Sequence, residues 1–200
     1  MEEFTVCANV EYLEKDIKGF YHVNYTGYKK PGNPDYLNDL KNTFGNYSQE
    51  KLRNAVEQLY NILKNDLSRF DRGLTICIVP RAKAENTYKD CQLLFKKSIQ
   101  DLIKELKFQD GSNYIVRHTD TKTTHLTHSC RAAPYAGDGD MPYPGITKNT
   151  CSVSSDVKGK NILLVDDIYT TGVNIDEDAI QALLDNGVSS IIFYAVGKTV

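Results

Sequence analysis

Tryptophan is absent from this 200-residue chain, and so is any long apolar run. The longest apolar stretch falls far below the roughly 18 residues of a membrane-spanning helix, which removes integral-membrane functions of that kind and leaves no membrane partner to expect. An excess of one charge is also missing: 24 Lys and Arg against 26 Asp and Glu leave a formal net charge of −2. Such a balance does not favour direct nucleic-acid binding or an acidic membrane surface. A polyanionic ligand would need a local cluster of cations and backbone N–H groups. The five cysteines (7, 77, 91, 130 and 151) are odd in number and contain no C-x-x-C pair. Disulfide scaffold and zinc ribbon are therefore excluded, and reduced structural thiols fit. No basic n-region opens "MEEFTVCANV", so a cytoplasmic location is expected. There is no internal repeat or low-complexity tract, and the 13 tyrosines suggest no function.

What is present is an ordinary globular composition, 40% apolar and 25% charged, enough for one domain with a sizeable core. Residues 1–48 form a compositional zone of their own, in which "FTVCANVEYL" and "GFYHVNYTGY" read as strands and "KKPGNP" as a turn. From Ser48, a plausible N-cap, Leu52, Val56, Leu59, Tyr60, Leu63 and Leu67 recur at helical spacing. "LTICIV" (74–79) reads as a buried strand, Cys91–Lys107 as a second amphipathic helix and "NYIVRH" as the next strand. Some thirty Thr-, Gly-, Pro- and Asp-rich residues follow, a length that in a compact domain marks a functional loop or an insertion. "NILLVDD", a helix over Ile175–Asn186 stopped by Gly187, and the strand "SIIFYAV" complete the chain. Alternating helix and strand from Ser48 onward predicts an α/β fold, a parallel sheet flanked by helices on both faces. Ligands of such sheets sit at the carboxyl ends of the strands, where "PRAKAE", the long loop and "DDIYTTG" all fall.

The stretch "NILLVDDIYTTGVN" (161–174) carries the most chemistry. A buried strand needs no charge at its end, so the adjacent Asp166 and Asp167 are candidates for binding Mg²⁺ or sugar hydroxyls. Just beyond them, "TTGVN" supplies hydroxyls, a glycine that permits close backbone approach and free N–H groups at a helix start, the needs of a phosphate cradle. The two parts lie about five residues apart, so one ligand with a diol at one end and a phosphate at the other could touch both. A ribose 5-phosphate has that reach. A response-regulator receiver also has "LLVDD", but only 33 residues follow Asp167 and a receiver needs many more. His125-x-x-His128 without thiols is a weak metal signal. Cys77 and Cys91 read as packing residues.

"ILLVDDIYTTGVN" resembles the phosphoribosyl-pyrophosphate (PRPP) binding motif of type I phosphoribosyltransferases, and the order of elements over 48–200 resembles that fold. The resemblance implies a phosphoribosyltransferase-like core at 49–200 and an N-terminal hood at 1–48 that shapes the acceptor site. It implies that Asp166 and Asp167 hold the ribose hydroxyls directly or through Mg²⁺, as catalytic and metal-binding residues. Thr170, Thr171, Gly172, Val173 and Asn174 would wrap the 5-phosphate. Arg81, Ala82 and Lys83 of "PRAK" would form the pyrophosphate loop, and Lys122, Arg131 and Lys148 would belong to a lid over 119–150. The implied activity is a Mg²⁺-dependent pentosyl transfer from PRPP to an unidentified base or amine, and the implied assembly is a homodimer. A PRPP-sensing regulator that has lost turnover is the alternative. Among branches, Thr121–Arg131 followed by "VDDIYTTG" is most like the ComF-type competence-associated enzymes, without their glutamine in that run and without an N-terminal cysteine cluster. Asn174 stands where the motif usually has Thr or Ser. Thr170 stands where 6-oxopurine salvage enzymes have an aspartate, which argues against hypoxanthine–guanine salvage.

Overall fold

The computed structural model describes residues 1–27, 30–41, 47–121 and 145–200. Its central feature is a mixed sheet of six strands: β1 (Glu2–Val6), β2 (Ile17–Tyr25), β3 (Thr75–Ile78), β4 (Gln109–Asp110), β7 (Asn161–Tyr169) and β8 (Ser190–Thr199). They lie in the order β1-β2-β8-β7-β3-β4. Every neighbouring pair is parallel except β1 with β2. Helices flank both faces, so the chain is α/β with a largely parallel sheet, as the alternation of elements predicts.

The helices follow from sequence spacing and their caps. Helix α1 covers Asp35–Leu40 and α2 covers Gln49–Leu67. Ser48 caps α2, its Oγ accepting from the Lys51 N–H at 3.2 Å. Leu59, Leu63 and Leu67 recur on one face of α2 and are fully buried, each stabilising the fold by about 1.5–3 kcal/mol. Helix α3, Leu94–Leu106, starts later than the apolar pattern implies because two 3₁₀ turns, Glu85–Thr87 and Asp90–Gln92, take up the preceding chain. Helices α1, α2 and α3 pack on one face of the sheet, through Leu37, Leu63 and Leu102 among others. Helix α4, Ile175–Asp185, covers the other with Ala179, Ile180 and Leu183.

One expectation is corrected. "NYIVRH" is not the next strand of the main sheet; that place is taken by the two-residue β4, paired with β3 at Thr75 and Ile76. The chain then crosses back over β3 at Gly111, where a Cβ would lie 2.7 Å from Thr75 Cγ2 and 2.9 Å from Cys77 Sγ. Only a glycine passes at that distance, and the crossing carries β5 (Ile115–Arg117) out of the main sheet. There β5 pairs antiparallel with β6 (Cys151–Val153), whose residues follow the long loop. Within residues 1–48, β2 lies parallel to β8 and extends the sheet, with β1 at its edge. Among the described residues, no helix is long and apolar enough to cross a membrane.

Candidate functional site at the carboxyl ends of β3 and β7

Parallel pairing of β3 with β7, Ile78 opposite Val165, sends both strands out at the same sheet edge. The loop 80–84 and the loop 170–174 therefore emerge side by side. Strand β7 is fully buried from Ile162 to Val165 and half-buried at Asp166 and Asp167. Along it, Ile162 and Leu164 face one core and Leu163 and Val165 the other. Past the aspartates, Ile168 joins the Leu163 side and Tyr169 the Leu164 side. The alternation thus slips by one residue at the acidic pair.

Asp166 accepts from the Asp167 N–H at 2.8 Å and lies against Asp176 in the first turn of α4. Burial and the neighbouring charge of Asp167 push the Asp166 carboxyl upward, and burial with the charge of Asp166 pushes Asp176 upward as well. Both shifts have one cause, two carboxyl groups buried side by side. Lys41, at the end of α1, offsets part of this effect on Asp166. The described residues contain no group of three or more His, Cys, Asp and Glu side chains able to hold a metal ion. Mg²⁺ needs no such group where waters and substrate phosphates complete its shell, so Asp167, with Asp166 behind it, fits that ion.

The loop after β7 is built locally. Gly172 has φ +81°, and nothing lies within 4 Å of where a Cβ would stand, so it is the backbone angle and not space that asks for glycine. The Val173 N–H returns to the Thr170 carbonyl at 3.1 Å. Thr170 Oγ1 lies 2.7 Å from Thr199 Oγ1 of β8, while Thr171 and Gly172 are exposed. Asn174 enters α4 with φ 64°, its Nδ2 donating to the Gly172 carbonyl at 3.3 Å rather than capping the helix. Three carboxylates follow in the first turn of α4, an arrangement that the helix dipole favours but that opposes a phosphate. The structure turns them away from the loop's exposed side. Asp176 and Glu177 are 1% and 2% exposed, and Glu177 accepts from the Tyr169 hydroxyl at 2.9 Å. Asp178 accepts from the Ile146 N–H at 2.7 Å, and burial raises its carboxyl to about 6.

The loop after β3 is braced from far along the chain. Arg81 stacks on the Tyr88 ring at 4.6 Å and donates to the Gln92 carbonyl, so its guanidinium is engaged within its own segment. The Ala82 carbonyl accepts from the Thr121 N–H at 2.8 Å and from Thr121 Oγ1 at 3.0 Å. Lys83 donates its N–H to the Tyr88 hydroxyl at 2.9 Å, and its Nζ lies 3.9 Å from Asp120. Asp120 also accepts from the Ala84 N–H at 2.8 Å. Lys148 is exposed in the turn that precedes β6. Lys122 and Arg131, like His125 and His128, lie outside the described residues.

So the structure places the acidic pair, the loop 170–174 and the loop 80–84 at one edge. Sequence reasoning did not single out Arg117, Asp120, Asp176 or Glu177. One signal was available: Arg117 ends the short apolar strand "YIVR" two residues after the buried Ile115, at an inward position. Asp120, Asp176 and Glu177 carry no comparable mark.

No family model matches the sequence, and no curated protein matches it. Among solved structures, an orthorhombic crystal form of a hypoxanthine phosphoribosyltransferase from Staphylococcus aureus aligns with 84% of this chain and 82% of its own, at 17% identity and a TM-score of 0.34. Its tetragonal form aligns over the same shares, at 16% identity and a TM-score of 0.34. The likeness is weak, and the chemistry of the site rests on this chain's own residues.

Proposed function

We propose that this protein binds PRPP at the carboxyl ends of β3 and β7 and transfers its ribose 5-phosphate to a base or amine, releasing pyrophosphate. The observation that carries this reading is the meeting, at one sheet edge, of an acidic pair, a glycine-bearing loop at a helix start and a second loop, residues 80–84. Asp166 and Asp167 hold the sugar diol, and residues 170–174 receive the 5-phosphate through hydroxyls and amides. The loop 80–84 then faces the pyrophosphate. Holding the donor at three points spends its binding energy on orienting C1 toward the acceptor. As the bond from C1 to pyrophosphate lengthens, positive charge grows on the sugar, and the carboxylates below it stabilise that charge. Asp167 and Asp166 would hold Mg²⁺, which would supply charge neutralisation for the departing phosphates.

Calorimetric titration with PRPP in the presence of Mg²⁺ tests the reading. Asp167→Asn is expected to weaken binding by about tenfold or more, equivalent to about 1.4 kcal/mol. Unchanged affinity in that variant refutes the carboxylate assignment. Release of pyrophosphate across a panel of bases and amines then identifies a transferase, whereas tight binding without release identifies a PRPP-sensing regulator.

A further inference from the structure

Arg117 ends β5 with only 2% of its surface exposed. Its Nε donates to the Arg81 carbonyl at 2.7 Å and its Nη1 to the Gly145 carbonyl at 2.8 Å. Among the described residues its Nη2 has no acceptor. Burying a guanidinium is costly, and burying one with a donor to spare more so. A neutral donor would suffice to hold a carbonyl, so the guanidinium brings a charge that its two bonds do not require. Burial disfavours that charge, while the carboxyl groups of Asp178 and Asp120 lie close enough to support it.

The bonds to the loop explain what the charge is for. A carbonyl oxygen facing an anion repels it. The carbonyls of Arg81 and Ala82 are instead turned onto protein donors, Arg117 for the first and Thr121 for the second. The Lys83 and Ala84 amides are taken by Tyr88 and Asp120. The amides of Arg81 and Ala82 have no acceptor among the described residues. A loop with its carbonyls held back, two amides to spare and a buried cation behind it is arranged to receive an anion.

We propose that Arg117 is the positioning residue of this loop: it draws the Arg81 carbonyl inward and sets a buried positive charge behind residues 80–84, so that the loop receives a diphosphate. The proposal deepens the reading above and rests on it for the identity of the ligand. It assigns recognition of the diphosphate to a residue 36 positions away from Arg81, whose own side chain is engaged elsewhere.

The test titrates the full chain separately with inorganic pyrophosphate and with ribose 5-phosphate, following folding by thermal unfolding. Arg117→Met is expected to weaken pyrophosphate by about tenfold or more and to leave ribose 5-phosphate within about twofold. Arg117→Lys, which keeps the charge, should recover part of the loss. Should Arg117→Met fail to fold, Thr121→Val carries the test. It removes one donor to the Ala82 carbonyl and should cost about threefold on pyrophosphate alone. Unchanged pyrophosphate affinity, or equal loss of both ligands in a folded variant, overturns the proposal. A wild-type chain that binds ribose 5-phosphate but not pyrophosphate overturns it as well. If the wild type binds pyrophosphate and not ribose 5-phosphate, the ribose-donor reading falls and Arg117 is judged on pyrophosphate. Binding of neither overturns both.

Discussion

The two loops at the sheet edge are held in opposite ways. Residues 170–174 are shaped almost entirely from within: a turn from Val173 to Thr170, a left-handed Gly172 and Asn174, and the start of α4. Residues 80–84 are shaped from outside, by Arg117, Asp120 and Thr121, which lie more than thirty positions downstream. A locally encoded loop survives changes elsewhere, whereas a braced loop depends on the packing of β5 and on the chain around Gly145. The lesson is that two loops at one sheet edge can fail independently.

Three substitutions sharpen that contrast. The largest effect is expected at a reference carboxylate that belongs to neither loop. Asp66, on α2, is 5% exposed and accepts from the Tyr194 hydroxyl and from His22 Nδ1, each at 2.9 Å. Asp66→Ala should cost about 4 kcal/mol in chemical denaturation, because it leaves a buried hydroxyl and an imidazole without their partner. Affinities for pyrophosphate and ribose 5-phosphate should be unchanged while the variant remains folded. Burial pushes the Asp66 carboxyl up, but the bonds from His22 and Tyr194 outweigh it and hold the group below its ordinary value of 3.8. Its contribution is therefore present above that value and is lost as the pH falls through the lower folded-state value. Asp66→Ala should flatten the acid limb of the stability curve accordingly.

A smaller loss is expected on the braced side. Asp120→Ala strands the Ala84 N–H, and Ala84 is 8% exposed, so stability should fall by about 2 kcal/mol. Pyrophosphate affinity should fall with it and ribose 5-phosphate affinity should not. The smallest effect belongs to the local side. Gly172→Ala has room for its methyl group but is strained by φ +81°, at a cost of about 1 kcal/mol. Here the titrations should show the reverse pattern, weaker ribose 5-phosphate with pyrophosphate unaltered. If Asp120→Ala and Gly172→Ala weaken the two ligands alike, the two loops are not independent and the contrast is wrong.

Legibility followed the same division. Leu59, Leu63 and Leu67 announced α2 by spacing, Ser48 announced its start, and four apolar residues announced β7, although the strand runs past the two aspartates to Tyr169. Each signal resides in a few consecutive residues. "YIVR" looked like one more strand of the main sheet, because nothing within it states its partner. Its place was decided by β4 ahead of it, by the close crossing at Gly111 and by Cys151–Val153 after the long loop. The cations expected to face a diphosphate were likewise those next in the chain, Arg81 and Lys83, of which the fold commits Arg81 to Tyr88 and Gln92.

By itself, the sequence determined the alternation of helix and strand, the apolar run of β7 with its acidic pair and the turn that follows, because periodicity, capping and backbone angle act over a few residues. Only the tertiary structure decided that β2 extends the sheet, that Asp166 meets Asp176, and that Arg117 stands behind the loop after β3. Those are contacts between segments distant in the chain. Their energies come from burial, and burial exists only once the segments have packed.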